Sequence, residues 1–479
     1  MAGGTWSETD KPERAGFYMR FVAAALAAIQ PGVRGILAMP VKANWGPAKE
    51  IKEITSEKEL KDTYNIEDTG NYTAYPCIRL ALLGGIKTVL AYRLVDGVAA
   101  KASINLQDGA AANVLKIDSK YPTTRGFKVT TRENLVDSVN KQDLVLYENT
   151  TELFVFTFDK GVSVVDNAVA AINGNSQNVW IDATKLDNGA GTIANVVSQP
   201  LAGGNDGSAG VVNADYIDAM SVFEARIFNA FTLDGATDAA LQTSVAAWVA
   251  RLRNEGKKII AYLGGSATDD ADITVANARS NGFNYEGIVN VGVSAQLDGV
   301  LYPSSMVACY IASKGTGQAL RESLTYAVTP FDDVQPRLTD NQFVSALRAG
   351  TLVLMHDGEK VIIERGINTL TTLSEDQDDA WKKIKIIRII DAIDVDTTQA
   401  AHDNYIGKVL NNNDGQAALL SAIKKYFETL APTLINGDFT VEVDTELQAN
   451  ALGDEFYWKW NARVIDSMEK IFGTGIIRY

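Results

Sequence analysis

The chain has 479 residues, of which 46% are hydrophobic and 22% charged, and its formal net charge is −15. This length predicts two to four domains, and the acidic balance excludes nucleic acid and anionic membranes as main partners. The longest apolar run, residues 21–29, is too short for membrane insertion, and no secretory signal pattern is present, so we expect synthesis and assembly in the cytoplasm.

The first predicted element is a strand at residues 16–21, in an N-terminal arm of residues 1–22. Its sequence GFYMRF is aromatic and follows a turn-prone segment around Pro12. Residues 23–97 then carry the pattern of a first part of an α/β domain. The predicted elements are a buried strand at 34–41, a helix capped by Ser56, a helix at 78–83 and a strand at 88–94.

From residue 98 to 180 short alternating apolar runs, separated by turn residues, predict a small all-β module inserted into the α/β domain. Residues 181–350 return to an α/β pattern. The clearest helix covers residues 238–255 and ends at Gly256, where a C-terminal glycine is favoured. A strand at 258–263, a helix at 270–280 and a strand at 287–293 follow, which predicts a parallel sheet.

Residues 351–464 predict a separate α+β domain. A hairpin is indicated by two apolar runs on either side of Asp357 and Gly358. The remaining predicted elements, in order, are a strand at 382–390, a helix at 401–407, an amphipathic helix at 416–430 and strands at 438–444 and 456–464.

The last segment, residues 465–479, runs apolar to its final residues, although chain termini are normally polar and frayed. Two strand-like ends with no evident sheet suggest strand donation to neighbouring copies, which builds an open polymer. The alternative is that both ends fold back as edge strands of their own domains. The residues alone leave the two alternatives open.

Sites for chemistry are poorly supported. A serine protease needs a histidine base, yet the two histidines, His356 and His402, lie outside the second α/β segment. The glycine-rich residues 201–207 and 263–266 lack a phosphate-binding pattern, and the acidic residues 269–272 fit helix capping better than a calcium loop. Cys77 and Cys309 lie in apolar surroundings and are expected to be free buried thiols. We predict no catalytic, metal or cofactor site.

Motifs spread in order along the whole chain resemble those of the contractile tail sheath proteins of myophages, prophages and phage-tail-like bacteriocins of Gram-positive bacteria. One departure is Ala15, where that family normally has proline. The motifs are residues 1–6 (MAGGTW), 14–19 (RAGFYM), 201–207 (LAGGNDG), 321–325 (RESLT), 367–372 (INTLTT), 405–409 (YIGKV) and 466–472 (DSMEKIF).

This resemblance implies a subtilisin-like α/β sheath domain with an inserted β-sandwich or barrel, a C-terminal α+β domain and extended β-arms at both ends. It implies six-subunit rings stacked around an inner tail tube, with baseplate and tail terminator proteins as further partners. The arms would cross to neighbours and complete a sheet on the C-terminal domain. The expected arm residues are Phe17, Tyr18, Met19, Phe21, Met468, Ile471, Phe472, Ile476 and Ile477, with Gly473 and Gly475 as a hinge.

The helix at 416–430 carries a lysine pair, Lys424 and Lys425, on the face opposite its apolar stripe. In an acidic protein this pair is a candidate for contact with the tube, and a solvated helix face is the alternative. The function that we predict is therefore a structural sheath subunit of a tail or a released bacteriocin particle. Two other classes stay open: a catalytically inactive, hydrolase-like lattice protein and a soluble α/β hydrolase.

Overall fold

The computed structural model describes residues 3–4, 13–14, 17–18, 29–67 and 69–478. At the N-terminus two short strands, β1 (Gly3–Gly4) and β2 (Phe17–Tyr18), pair in parallel. The predicted strand at 16–21 is therefore seen only at Phe17 and Tyr18. Met19 and Phe21, which were also predicted to belong to the arm, lie outside the described residues.

The first α/β segment follows the prediction closely. Its elements are β3 (Ile36–Val41), β4 (Ile51–Ile54), α1 (Glu57–Tyr64), α2 (Ala74–Leu83) and β5 (Thr88–Arg93). The predicted cap of α1 is confirmed, because the Ser56 hydroxyl accepts a hydrogen bond from the backbone N–H of Glu59. Strand β5 lies between β3, to which it is parallel, and β4, to which it is antiparallel.

The predicted all-β module is also present. It consists of β6 (Ser103–Gln107), β7 (Asn113–Ser119), β8 (Phe127–Glu133), β9 (Lys141–Glu148), β10 (Thr151–Asp159), α3 (Val164–Asn173), β11 (Ile181–Lys185) and β12 (Val196–Pro200). Two antiparallel sheets, β11-β7-β6 and β10-β9-β8-β12, enclose one apolar core. Their last strands extend the sheets beyond residue 180, where the prediction ended the module. Strand β12 is an exposed edge strand, so its sequence lacks the alternation that marks the others.

The second α/β segment completes the main sheet. Its elements are α4 (Asn213–Phe223), β13 (Ala230–Thr232), α5 (Ala239–Asn254), β14 (Ile260–Gly264), α6 (Ala267–Asp270), α7 (Ile273–Phe283), β15 (Ile288–Val291), β16 (Ser294–Leu297), β17 (Val300–Tyr302), α8 (Ser304–Gly317), β18 (Asp333–Gln335), α9 (Asp340–Arg348) and β19 (Thr351–Leu352). The helix predicted at 270–280 is two helices, because the Asp272 carboxylate caps a second N-terminus at α7.

The main sheet has the order β19-β15-β14-β13-β3-β5-β4, and all neighbouring strands are parallel except the pair β5 and β4. Alternate residues of the strands enter two different cores, as expected of a parallel sheet covered on both faces. Helices α2 and α8 contribute to one core, and α4 and α5 contribute to the other. The predicted stripe of α5 is buried, including Leu241, Val245 and Trp248.

The C-terminal part contains β20 (Leu354–His356), β21 (Val361–Ile363), a 3-10 helix (Asp379–Lys382), α10 (Ile384–Asn404), α11 (Asn413–Leu430), β22 (Thr440–Val443), α12 (Thr445–Gln448) and β23 (Trp458–Asn461). The predicted hairpin is confirmed by the antiparallel pair β20 and β21. Strands β22 and β23 form a second antiparallel pair, whose aromatic face packs on α11.

The strand predicted at residues 382–390 is wrong, since this segment begins α10. A run of isoleucines suggests a strand by propensity, but tertiary packing decides otherwise. Ile387 enters the core of the α/β part, whereas Ile389 and Ile393 enter the core of the C-terminal part. Helix α10 is thus buried on more than one side and joins the two units. Its last residues include most of the short helix predicted at 401–407.

Candidate assembly interface

Helix α10 is joined to the α/β part by a buried ion pair. The Arg253 guanidinium donates two hydrogen bonds to the Asp391 carboxylate, at 2.7 and 2.8 Å, and both side chains are nearly inaccessible to solvent. Burial lowers the pKa of Arg253, but the charge of Asp391 outweighs it and holds the pKa above its ordinary value. A half-buried pair, Lys258 with Asp394 at 3.1 Å, lies one helical turn further on. These pairs fix α10 against the end of α5 and the segment that leads into β14.

The same helix holds the N-terminal segment where that segment leaves the α/β part. The carboxylate of Asp396, which is buried, accepts hydrogen bonds from the Gly32 backbone N–H at 2.8 Å and from Arg34 at 2.5 Å. The hydroxyl of Tyr426 on α11 donates to it at 2.6 Å. We call these contacts the N-terminal root. They place Gly32 and Arg34, just before β3, beside the C-terminal part.

A second set of contacts holds the C-terminal segment. The Glu469 carboxylate is nearly buried and lies 2.9 Å from the Lys383 ammonium and 3.1 Å from the Arg365 guanidinium. It also accepts a hydrogen bond from the Thr325 hydroxyl at 2.9 Å. The Lys383 ammonium also pairs with Asp466. We call this cluster the C-terminal root, and it brings together residues of, or next to, three of the motifs found in the sequence.

The pKa of Glu469 reports how this root is held. Burial alone would raise it, but the hydrogen bonds from Lys383 and Thr325 and the charges of Lys383 and Arg365 hold the pKa below its ordinary value. The charged carboxylate is therefore favoured in the folded protein. Its stabilising effect is complete above the unfolded value of 4.5 and is lost as the pH falls through the lower folded value.

Acid is accordingly expected to loosen the C-terminal root. The amide of Ile465, which donates to the Leu434 carbonyl, should progressively lose its protection from hydrogen exchange as the pH falls below 4.5, after correction for the intrinsic rate. In Glu469→Gln the protection at pH 6 should already be about tenfold lower, because a charge-assisted bond is gone. Equal protection in both proteins at both pH values would refute the role of Glu469.

Beyond this root the chain is open to solvent. Met468, Ile471, Phe472, Ile476 and Ile477 are between 79% and 91% exposed, and residues 465–478 form no strand. A Cβ added at Gly473 or Gly475 would meet no atom within 4 Å. Exposed apolar residues in such a run are unusual and mark an interaction segment. In the described part of the chain, residues 471–478 are thus exposed and belong to no sheet, and their role as an arm stays a prediction.

A sheet with open edges lies in the same C-terminal part. Strands β22 and β23 pair only with each other in the described chain. Trp458 and Trp460 point to α11, where the Trp460 ring lies 5.2 Å from the ring of Phe427. A two-stranded sheet leaves unpaired N–H and C=O groups on its outer edges, which can accept further strands.

The lysine pair predicted to meet a tube lies on α11, as expected. Lys424 and Lys425 are exposed, whereas the neighbouring Ile423, Tyr426 and Phe427 are buried in the core. The helix thus presents these two ammonium groups on its outer face. Their contact with a tube stays a prediction.

Open α/β sheets usually bind a substrate at the carboxyl ends of their strands, and in this protein the chain's own side chains occupy that position. The chain proceeds to opposite sides of the sheet from β3 and β13, so a ligand would be expected at the carboxyl ends of these strands. There the buried Asp234 accepts hydrogen bonds from the Tyr216 hydroxyl at 2.7 Å and the Thr73 hydroxyl at 2.5 Å. Burial, with the charge of Asp234, raises the pKa of Tyr216. The acidic group at this position is thus buried and already hydrogen-bonded within the chain.

The other chemical motifs also have structural roles. His356 accepts a hydrogen bond from the backbone N–H of Gly358 in the hairpin turn, and His402 is exposed near the end of α10. Ser266 and Asp269 form a capping box at α6. Cys77 and Cys309 are free and buried. In the described part of the chain no cluster of potential metal ligands occurs, and no helix is long and apolar enough to cross a membrane.

The glycine-rich turn at 201–207 connects the β module to the main sheet. Arg93, at the end of β5, is fully buried and donates to the backbone carbonyls of Gly46, Pro122 and Asp206 at 2.6, 2.8 and 2.9 Å. Gly207 adopts a φ of +72°, and a Cβ there would lie 2.7 Å from that of Ala99. The turn is therefore required for close packing between the two units.

Several of these residues were missed in the sequence. Arg93, Arg253 and Asp391 are charged residues that pair over long sequence separations, which no local pattern reveals. A usable signal did exist in α10, where charged residues recur among the isoleucines. Lys385, Asp391 and Asp396 are buried there, and buried charged residues usually need partners. Glu469 lay inside a recognised motif, but nothing marked it as the residue that anchors the tail.

Comparison with known proteins identifies the family. Successive segments match the models of the tail sheath protein Gp18 domain III N-terminal region (34–94), the phage tail sheath β-sandwich domain (95–206), the phage tail sheath central domain (209–369) and the phage tail sheath C-terminal domain (376–478). The phage-like element PBSX protein XkdK of Bacillus subtilis is 27% identical, over 98% of this chain and 99% of that protein.

Solved structures of sheath proteins have a similar fold. The sheath tail protein of Desulfitobacterium hafniense is 26% identical and superimposes with a TM-score of 0.71, covering 94% of this chain and all of that one. The helical sheath of the anti-feeding prophage in its contracted state shares the fold, with a TM-score of 0.55 at 13% identity over 97% and 99% of the two chains. With sheath domains matched in order from residue 34 to residue 478, the chain belongs to the phage tail sheath protein family, and its role is structural rather than enzymatic.

Proposed function

We propose that this sheath protein polymerises as stacked six-subunit rings around a tail tube and contracts to drive that tube through a target cell envelope. The observation that carries the proposal is the C-terminal segment, which is anchored at Glu469 and then leaves the domain as an exposed apolar strand-like tail. A free subunit with such a tail is incomplete, because burial of these side chains needs another copy.

The proposed acceptor is the sheet of β22 and β23 on a neighbouring subunit. Its open edges offer backbone hydrogen bonds, and the tail offers an exposed segment with two apolar pairs, Ile471–Phe472 and Ile476–Ile477. The N-terminal arm, with Phe17, Tyr18, Met19 and Phe21, would cross to another neighbour in the same way. Gly473 and Gly475 would let the tail keep its pairing while the subunits rotate between the extended and contracted states.

In the domain division that we propose, the arms and the C-terminal part make the contacts between subunits. Residues 351–464 would face the tube, and the β module would face outward. The seven-stranded sheet with helices on both faces supports a subtilisin-like origin for the α/β domain, without its chemistry. The further partners in this proposal are the tube, baseplate and tail terminator proteins, with assembly in the cytoplasm.

Electron microscopy of the purified full chain tests the proposal directly. Hollow striated tubes are the expected result. Flat sheets would instead support the lattice protein, and dispersed monomers at high concentration would contradict self-assembly. Addition of the tube protein from the same particle should change the length or diameter of the polymer, because a tube sets the inner surface of the extended state.

The lysine pair gives a prediction about the tube. The double substitution Lys424→Glu with Lys425→Glu is expected to lower the yield of extended sheath on the tube about tenfold, because four units of charge change at the proposed contact. Sedimentation of the assembled particles measures the yield. The matched control, Lys58→Glu with Lys61→Glu on the exposed face of α1, makes the same charge change and should leave the yield unaltered. Normal yield for the first variant would remove the pair from the interface.

A further inference from the structure

A cleft lined by four aromatic rings lies beside the free edge of β23. Tyr285 follows α7, Trp381 lies in the 3-10 helix, and Trp458 and Trp460 belong to β23. All four side chains are only partly buried, although they border three different apolar cores. No residue of β22 lines the cleft, so it lies on the β23 side of the hairpin. Incompletely covered aromatic rings that share one cleft mark an interaction surface.

The charged residues that line this cleft leave one carboxylate without a partner. Arg253 pairs with Asp391, and Lys258 pairs with Asp394. The fifth charged residue, Glu286, makes no hydrogen bond or ion pair within the described ranges of the chain. Its charge reaches Arg253, but two hydrogen bonds already commit that guanidinium to Asp391. With two cations against three carboxylates, the lining favours a ligand that carries a positive charge next to an apolar group.

The C-terminal tail presents such a combination on one face of an extended strand. Alternate side chains of a strand point to the same face. Both glycines of the tail and Ile477 therefore share one face, and the other face carries Phe472, Thr474, Ile476 and Arg478. Arg478 is the only charged residue after Lys470. The face with Ile476 and Arg478 thus matches the aromatic rings and the unpaired carboxylate of the cleft.

The edge of the hairpin beside the cleft has the same period and length. Exposed and partly buried residues alternate from 458 to 464. The partly buried ones, which pack on the core of the C-terminal part, are Trp458, Trp460, Ala462 and Val464. A strand of seven residues, 472–478, added along this edge also has four inward positions. In an antiparallel arrangement Arg478 lies opposite Trp458 and Ile476 lies opposite Trp460, next to the cleft. A parallel strand would reverse this order and move Arg478 away from the unpaired carboxylate.

We propose that the tail of a second copy adds antiparallel to the free edge of β23, with Ile476 in the aromatic cleft and the Arg478 guanidinium on the Glu286 carboxylate. This inference rests on the proposed function and deepens it, because it selects one edge of the sheet, one face of the tail and one direction of pairing. The tail of the same chain is exposed, so in the described structure the cleft does not cover its own tail.

An exchange of charges in the full chain tests this contact. Arg478→Glu and Glu286→Arg should each raise the protein concentration needed for half-maximal tube formation about fivefold, as measured by sedimentation. The double variant should return to within about twofold of the wild-type value, because the pair is rebuilt with reversed polarity. The matched control replaces an exposed residue of β4, and Glu53→Arg should not rescue Arg478→Glu. Normal assembly of both single variants, or no recovery in the double variant, would overturn the contact.

Cross-linking within assembled tubes separates this inference from the proposed function. In Glu286→Cys with Arg478→Cys, oxidised glutathione should join neighbouring chains on a non-reducing gel, with one disulfide formed and two glutathione thiols released per link. Thr440→Cys with Arg478→Cys, which probes the β22 edge, should stay unlinked.

The other outcomes of this cross-linking contradict the inference in different ways. A link through position 440, or a link inside isolated chains, would overturn the choice of edge or of partner while tubes still form. A link from Glu286→Cys to Phe17→Cys, and none to Arg478→Cys, would assign the cleft to the N-terminal arm. Absence of tubes from the wild-type chain would contradict the proposed function and this inference with it.

Discussion

Removal of residues 471–479 is expected to leave a folded monomer that no longer forms tubes. The deleted side chains that the structure describes are exposed, and Ile471, Phe472, Ile476 and Ile477 contribute to no core of their own chain. The fold should therefore keep its circular dichroism spectrum and unfolding midpoint. Assembly should fail because each lost tail removes a whole strand of hydrogen bonds and four large apolar side chains from a neighbour. Sedimentation velocity and electron microscopy measure the two outcomes.

The control for this truncation uses other exposed apolar residues. Leu135, Val136 and Val139, in the loop between β8 and β9, are as exposed as the tail. Their combined replacement by serine should leave tube formation intact, since the β module lies outside the proposed lattice contacts. Tubes of normal length from the truncated chain would show that the tail does not link the subunits.

The largest effect on stability is expected from Asp391→Leu. This substitution leaves the Arg253 guanidinium buried without its partner, and it should lower the free energy of unfolding by about 3–5 kcal/mol. The effect should appear first as separation of α10 from the α/β part. Trp458 and Trp460 line the cleft beside this pair, so their fluorescence during urea unfolding can follow the change.

The double variant Arg253→Met with Asp391→Leu separates the two possible causes. If the cost in Asp391→Leu comes from an unpaired buried charge, the double variant should recover most of the lost stability, because apolar side chains of similar volume fill the same space. If both variants are equally destabilised, the loss comes from packing or hydrogen bonding. An unchanged unfolding midpoint in Asp391→Leu would show that the pair does not hold the junction.

Local features of the sequence predicted many elements because those elements are decided locally. Helix α5 has a capping aspartate, an apolar stripe and Gly256, which adopts a φ of +92° after the helix. The hairpin at Asp357 and Gly358 is likewise set by its turn. The apolar tail could be singled out because its composition contradicts the normal behaviour of a terminus, and the structure shows its side chains exposed.

Helix α10 could not be predicted in the same way. Its isoleucines favour a strand, and only their contacts with two different cores explain a helix buried on several sides. The contacts of the N-terminal and C-terminal roots could not be predicted from local sequence either. Asp396 and Gly32 are 364 positions apart, and Glu469 and Thr325 are 144 apart. The neighbour that would receive the tail is a property of the assembly, which a single chain shows only as an exposed segment.

The two roots have a mechanical consequence. Lys383, which caps α10, and Asp396 are thirteen positions apart, about 20 Å at 1.5 Å per residue. Both roots are therefore attached to the same helix. Tension between neighbouring copies would pass from one arm to the other along α10 and through the ion pairs of the two roots. In the proposed arrangement the β module, which Arg93 and the turn at 201–207 join to the main sheet, would lie off that load path. Its loops would then be free to vary in length and sequence without weakening the connection between subunits.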